Sequence, residues 1–167
     1  FAISSSVFIS QLWQAADLAQ VHLLVQRNLR IGLGIMSCGV AVLAVAGRDI
    51  LDLWLGPGHF VGYPVLITFC VMLTLETQHV IVAASSRATE DEPFALLALG
   101  SGMLNVVFTW YLTQRFGLLG VALGTCLAQL LTNNWYAVYR GAQRLRIPCA
   151  AIGRVMAQAA LLFFAAI

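Results

Sequence analysis

Four apolar runs follow one another along this chain with only short polar connectors between them, at 31–47, 63–84, 93–112 and 117–138. A helix rises about 1.5 Å per residue, so crossing a hydrocarbon layer of about 30 Å takes roughly 20 mostly apolar residues. The first run extends back through Leu29, and a fifth runs from near Ile147 to Ile167. Inside hydrocarbon each backbone N–H and C=O must be paired within its own segment, which makes such runs helices. The pattern predicts an all-α fold: a polytopic transmembrane helical bundle with four spans in 31–140 and a truncated fifth in 147–167. Composition agrees. Only 10% of residues are charged and 60% are hydrophobic, whereas a soluble domain carries about 25% charged residues. Lipid imposes no cost on an apolar exterior, and water does.

The connectors carry turn chemistry. Gly56-Pro57-Gly58 separates the first two spans. Glu90-Asp91-Glu92-Pro93 precedes the third, with Pro93 suited to a first helical turn. Arg115-Phe116-Gly117 joins the third to the fourth, and the basic stretch 140–148 joins the fourth to the fifth. Residues 1–30 are read as the end of a preceding span (1–10) followed by an amphipathic segment. In that segment Leu12, Ala16, Ala19 and Leu23 fall along one side, with Asp17, Gln20, Arg27 and Arg30 elsewhere. Two readings fit it: an interfacial helix lying along the membrane surface, which is adopted, or a plain extension of the first span. The chain opens on Phe1 and ends in an apolar run, so it is expected to be an internal piece of a longer protein.

Orientation follows from arginine, because basic residues concentrate in cytoplasmic loops. Arg27, Arg30, Arg87, Arg140, Arg144 and Arg146 fall on one side, and Arg48 and Arg115 on the other. The first side is expected to be cytoplasmic. Aromatic residues form the matching belts: Trp54, Phe60, Tyr63, Trp110 and Tyr111 outside, and Trp135, Tyr136 and Tyr139 inside.

The second span holds the residues most expensive to place in lipid. Thr68, Thr74, Glu76, Thr77, Gln78 and His79 crowd its middle and inner half. A carboxylate near the bilayer centre costs at least about 2.5 kcal/mol on insertion scales, so it faces protein or water. Glu76 and His79, three apart, share a helix face, and a carboxyl able to take up and release a proton there suits ion coupling. A structural hydrogen bond to a neighbouring helix is the competing reading. In the third span Ser101, Asn105 and Thr109 recur at four-residue steps. In the fourth, Thr125, Gln129, Thr132, Asn133 and Tyr136 share a side, with Asn134 adjacent. Neutral stripes of this kind line hydrated cavities or, more often, join helices. Gly120 and Gly124 form a GxxxG pattern that permits close helix approach, with Gly100 and Gly102 as the expected receiving surface. The candidate pathway residues are therefore Glu76, His79, Gln78, Asn105, Gln129 and Asn133, with Gly120 and Gly124 for packing.

Other chemistry is absent from the sequence. Cys38, Cys70, Cys126 and Cys149 are scattered with no metal-ligand spacing, and are expected to be buried, inert thiols. There is no nucleotide-binding loop, no HExxH and no credible Ser/His/Asp set, so no catalytic residue, metal or cofactor is expected. A net charge of +2 is too small to point to nucleic acid.

The order of features resembles a known family. Gly47-Arg-Asp-Ile-Leu-Asp-Leu-Trp-Leu-Gly56 is similar to the segment that closes a span in polysaccharide (O-antigen or exopolysaccharide) flippases of the multidrug/oligosaccharidyl-lipid/polysaccharide exporter superfamily. Asn105 resembles the asparagine of the matching family helix, and Gly117-Leu-Leu-Gly-Val-Ala-Leu-Gly-Thr125 resembles the start of the next. The resemblance covers about 1–146. It implies one lobe, the C-terminal one, of a two-lobe transporter in the bacterial inner (cytoplasmic) membrane. It also implies alternating access for undecaprenyl-diphosphate-linked oligosaccharide in cell-surface polysaccharide biosynthesis, with a proton or sodium ion for coupling. One departure stands out: the first four spans have no central Arg or Lys to hold an anionic diphosphate. The alternative within the superfamily is a drug/cation antiporter, with Glu76 as its carboxylate. A polytopic glycan polymerase or acyltransferase fits less well, because the outer loop 48–62 offers only Arg48, Asp49, Asp52 and His59. A purely structural membrane subunit would not need Glu76.

Overall fold

The computed structural model describes residues 2–90 and 95–165. Seven helices account for nearly all of them: α1 (Ala2–Gln14), α2 (Leu18–Leu55), α3 (Tyr63–Arg87), α4 (Ala95–Phe116), α5 (Leu118–Leu131), α6 (Asn133–Leu145) and α7 (Cys149–Ala165). Among the described residues there is no strand, so the fold is an all-α bundle. The connector 91–94, with Pro93, lies outside the described residues. Among the described residues three helices, α2, α3 and α4, are long and apolar enough to cross a membrane. The chain is a membrane protein.

Two expectations about element boundaries differ from the structure. The amphipathic segment does not form a separate helix. The chain turns a corner at Ala16, where φ is 57°, and Asp17 caps the next helix by accepting from the Gln20 N–H at 3.1 Å. From there α2 runs unbroken through 38 residues, about 57 Å. The buried face of its first half is Val21, Val25, Leu29 and Leu33, while Leu23 is exposed. The corner separates Leu12 from the residues it was grouped with, and the valine–leucine stripe at four-residue spacing takes the core instead.

The second difference is the fourth span. It is two helices, of 14 and 13 residues, meeting at Thr132 (φ −122°, ψ −81°). Thr132, Asn133 and Asn134 are three poor helix formers in a row, and their side chains compete for backbone hydrogen bonds. The freed carbonyls are capped locally. Thr132 Oγ1 donates to Ala128 O at 2.6 Å, and Trp135 Nε1 donates to Leu131 O at 2.9 Å. Such capping lets a helix break exist at membrane depth.

Contacts give the directions of the helices. Gly47 lies against Leu66 and Gly32 against Ile81, so α2 and α3 run antiparallel. Gly120 lies against Leu112 and Gly124 against Thr109, which makes α4 and α5 an antiparallel hairpin turning on Gly117 (φ 57°). The core sits at the arginine-rich end. Ile9 of α1, the α2 stripe, Ile81 and Val82 of α3, Ala142 and Leu145 of α6, and Ile152 and Val155 of α7 bury one another there. Toward the opposite end the helices show lipid-type surface, with Ile35, Val45, Leu53, Met103, Val106 and Trp110 exposed.

Candidate functional site

Around the α5–α6 break, α3, α5 and α6 each carry buried polar atoms. The α3 threonines are not among them. Thr68, Thr74 and Thr77 each donate at 2.8 Å to the carbonyl four residues back in their own helix. His79 reaches across to α6: its Nδ1–H donates to the Asn133 carbonyl at 3.2 Å. A carbonyl only accepts, so Nδ1 carries the proton. Further along, Ala83 packs on Tyr136, and Arg144 bonds Thr89 through Nε to Oγ1 at 3.0 Å and through Nη2 to the carbonyl at 2.7 Å. These pairs advance together, so α3 and α6 run parallel.

The helices approach most closely where Gly141 of α6 lies against Val82, one turn after Gln78. Glu76 lies one turn before His79 on the same face of α3. Gln78 is 1% exposed and Asn134 is 5% exposed. Gln78 Nε2, Gln129 Oε1 and both side-chain polar atoms of Asn134 are buried with no hydrogen-bond partner. Each such atom costs about 1–3 kcal/mol in a dry interior. Glu76 is half-buried and makes no hydrogen bond or ion pair among the described residues. Asn133 contributes its backbone carbonyl. Asn134 is buried in the first turn of α6, just past the break at Thr132.

Asn105 lies elsewhere. Its Oδ1 accepts from Thr109 Oγ1 at 2.9 Å and from Thr125 Oγ1 at 3.2 Å, tying α4 to α5. Among the described residues α4 packs on α5 and α6, not on α3, so Asn105 is not brought together with Glu76, Gln78 and His79. Gly120 and Gly124 face α4, but their partners are the backbones of Leu112 and Thr109. Gly100 and Gly102 meet nothing within 4 Å of an added Cβ. The hairpin link is one residue, Gly117, so the α5 glycines are level with the C-terminal half of α4. The cysteines also divide: Cys70 and Cys126 are buried, and Cys38 and Cys149 are exposed along helices with lipid-type faces.

The arginine-rich end carries a clamp that sequence reasoning missed. Arg144 lies 5.2 Å over the Trp13 ring while bonding Thr89, which puts a cation at the negative end of the α3 dipole. His22 Nε2–H donates to the Leu145 carbonyl at 2.7 Å, capping α6 in the same way. These partners are 55 and 123 positions apart, and no local pattern signals pairs so distant. Comparison with family models, curated proteins and solved structures returns no match to this chain.

Proposed function

We propose that this chain forms one lobe of a bacterial inner-membrane transporter that flips or exports lipid-linked oligosaccharide by alternating access, for cell-surface polysaccharide biosynthesis. The observation that carries the reading is the break between α5 and α6, with unpartnered buried amides of Gln78, Gln129 and Asn134 on α3, α5 and α6. Transporters place substrate and ion sites near the bilayer midplane on discontinuous helices. A stable, purely structural bundle has no use for buried amides without partners. The order of sequence features that resembles polysaccharide flippases supplies the substrate class, an undecaprenyl-diphosphate-linked oligosaccharide. The lack of Arg or Lys around the break gives this lobe the neutral sugar part of that ligand and leaves the diphosphate to the opposing lobe.

Deleting the gene for the full-length protein is expected to trap lipid-linked glycan on the cytoplasmic leaflet, measured by accessibility of the glycan to a membrane-impermeant lectin in oriented vesicles. Normal surface glycan in the deletion strain would refute the reading. A drug/cation antiporter is the second reading, and Glu76, half-buried with no hydrogen bond or ion pair among the described residues, favours it. Deletion would then raise sensitivity to cationic dyes while glycan export continues. In either case Glu76→Gln is expected to lower transport without lowering membrane abundance. An equal loss of both would make Glu76 structural.

A further inference from the structure

We propose that the outward face of α2 at the arginine-rich end binds an anionic phospholipid, with its phosphate on Arg27 and Arg30 and one hydrocarbon chain laid along Gly34 and Cys38. The helix itself sets the juxtaposition. Residues three and four apart are neighbours on one face, so Arg27, Arg30, Gly34 and Cys38 form a single column on α2. The column lies away from the buried stripe of Val21, Val25, Leu29 and Leu33, and Arg27, Arg30 and Cys38 are exposed. Arg27 and Arg30 make no ion pair or hydrogen bond among the described residues. Asp17, the carboxylate at the start of α2, caps Gln20 and lies about 15 Å before Arg27 along the helix. α7 packs beside α2, has no Asp or Glu, and adds an exposed Arg154. Two unpaired guanidinium forks on one face suit the oxygens of a phosphate. A choline or ethanolamine headgroup would bring a cation against them with no carboxylate on the column to receive it, so a headgroup of net negative charge fits. The rest of the column fits a chain. One leaflet contributes about 15 Å of hydrocarbon, or roughly ten residues of helix. Counted from Arg30, Gly34 and Cys38 fall within that depth. A Cβ on Gly34 would meet nothing within 4 Å, so no neighbouring helix of the described chain packs there, and exposed Ile31 and Ile35 flank it.

The site depends on the chain lying in a membrane and not on the transport reading. The test uses the full-length protein in vesicles of equal parts phosphatidylglycerol and phosphatidylcholine. Each lipid in turn carries a photoreactive diazirine on its acyl chain, and the labelled residues are located by mass spectrometry. A basic residue at an anionic surface strengthens attachment about fivefold, so the phosphatidylglycerol probe is expected to label 31–38 at least about tenfold more than the phosphatidylcholine probe. Arg27→Gln with Arg30→Gln is expected to bring the two probes within about twofold of each other. Arg146→Gln, which removes another exposed arginine at the same end, is expected to leave the preference intact. Lys at positions 27 and 30 keeps the charge that sets orientation and should restore only part of the preference, since it lacks the planar fork. If the double Gln variant does not insert, the wild-type probes and the Lys variant still decide. Equal labelling of the wild type by the two probes would overturn the site. So would a loss in Arg146→Gln equal to that in the double variant, which would reveal a diffuse field. Absence of label from 31–38 would show that another part of the protein covers this face, and displacement of the probe by inorganic phosphate would make the ligand a free anion; either result overturns the proposal.

Discussion

A Cβ on Gly124 would come within 2.6 Å of the Thr109 backbone nitrogen and 2.7 Å of its Cα, and one on Gly120 would strike the Leu112 carbonyl. Backbone cannot step aside as a side chain can, so Gly124→Val must push α4 and α5 apart. Overpacking of this kind costs about 1–3 kcal/mol. The one Asn105 hydrogen bond that crosses the same interface, from Thr125, is worth about 0.6 kcal/mol. Thermal unfolding in detergent should therefore show a much larger loss for Gly124→Val than for Asn105→Ala. A larger loss for Asn105→Ala would mean that hydrogen bonding, not close approach, holds the hairpin. The GxxxG spacing was legible in the sequence. Its partner was not, because the one-residue link at Gly117 sets the register and loop geometry is not written in the pattern. At the arginine-rich end, Arg144→Met keeps the contact with Trp13 and removes two hydrogen bonds to Thr89. The loss of charge-assisted bonds to a buried acceptor is expected to cost about 1.5–3 kcal/mol, and Lys at this position should restore only part, since it lacks the planar fork.

At the scale of elements, the break at Thr132 separates two kinds of helix. α5 is apolar and narrow, with Gly120, Ala122, Gly124, Cys126 and Ala128 buried. In α6, Gly141, Ala142 and Leu145 are buried, while Trp135, Tyr139 and Gln143 are exposed. Apolar periodicity identified the span but read through the break, because the residues on either side of Thr132 keep their apolar average. The composition of Thr132-Asn133-Asn134 was the available signal, through low helix propensity. Replacing Thr132 and Asn133 together with alanine recovers about 1 kcal/mol of propensity, and is expected to slow exchange at 130–136 about fivefold. Unchanged exchange would show that tertiary contacts from α3, and not local sequence, impose the break. The expected interfacial segment failed for a related reason. Helical spacing from Leu12 to Leu23 was counted across a corner at Ala16 where the phase is lost.

For the whole molecule, three helices long and apolar enough to span and an exterior rich in exposed Leu, Val and Trp require a hydrocarbon solvent. The polypeptide is expected to remain with the membrane after carbonate washing. Single cysteines at Gly58 and at Gln143, in a background without Cys38 and Cys149, should label from opposite sides of oriented vesicles; labelling from one side would overturn the arginine-based orientation. The all-α class was readable because lipid makes long apolar runs stand out from the few polar connectors, and the polar residues of α3 were conspicuous for the same reason. The approach of α3 to α6 was not readable, because it depends on which helices pack together. One consequence concerns motion. α2 has no interruption from Leu18 to Leu55, which lets it carry a displacement along its length as one rod. The path through α5 and α6 has a joint at Thr132 and can bend. The bundle therefore pairs a piston with an elbow, and the unpartnered amide of Asn134 sits just past the elbow.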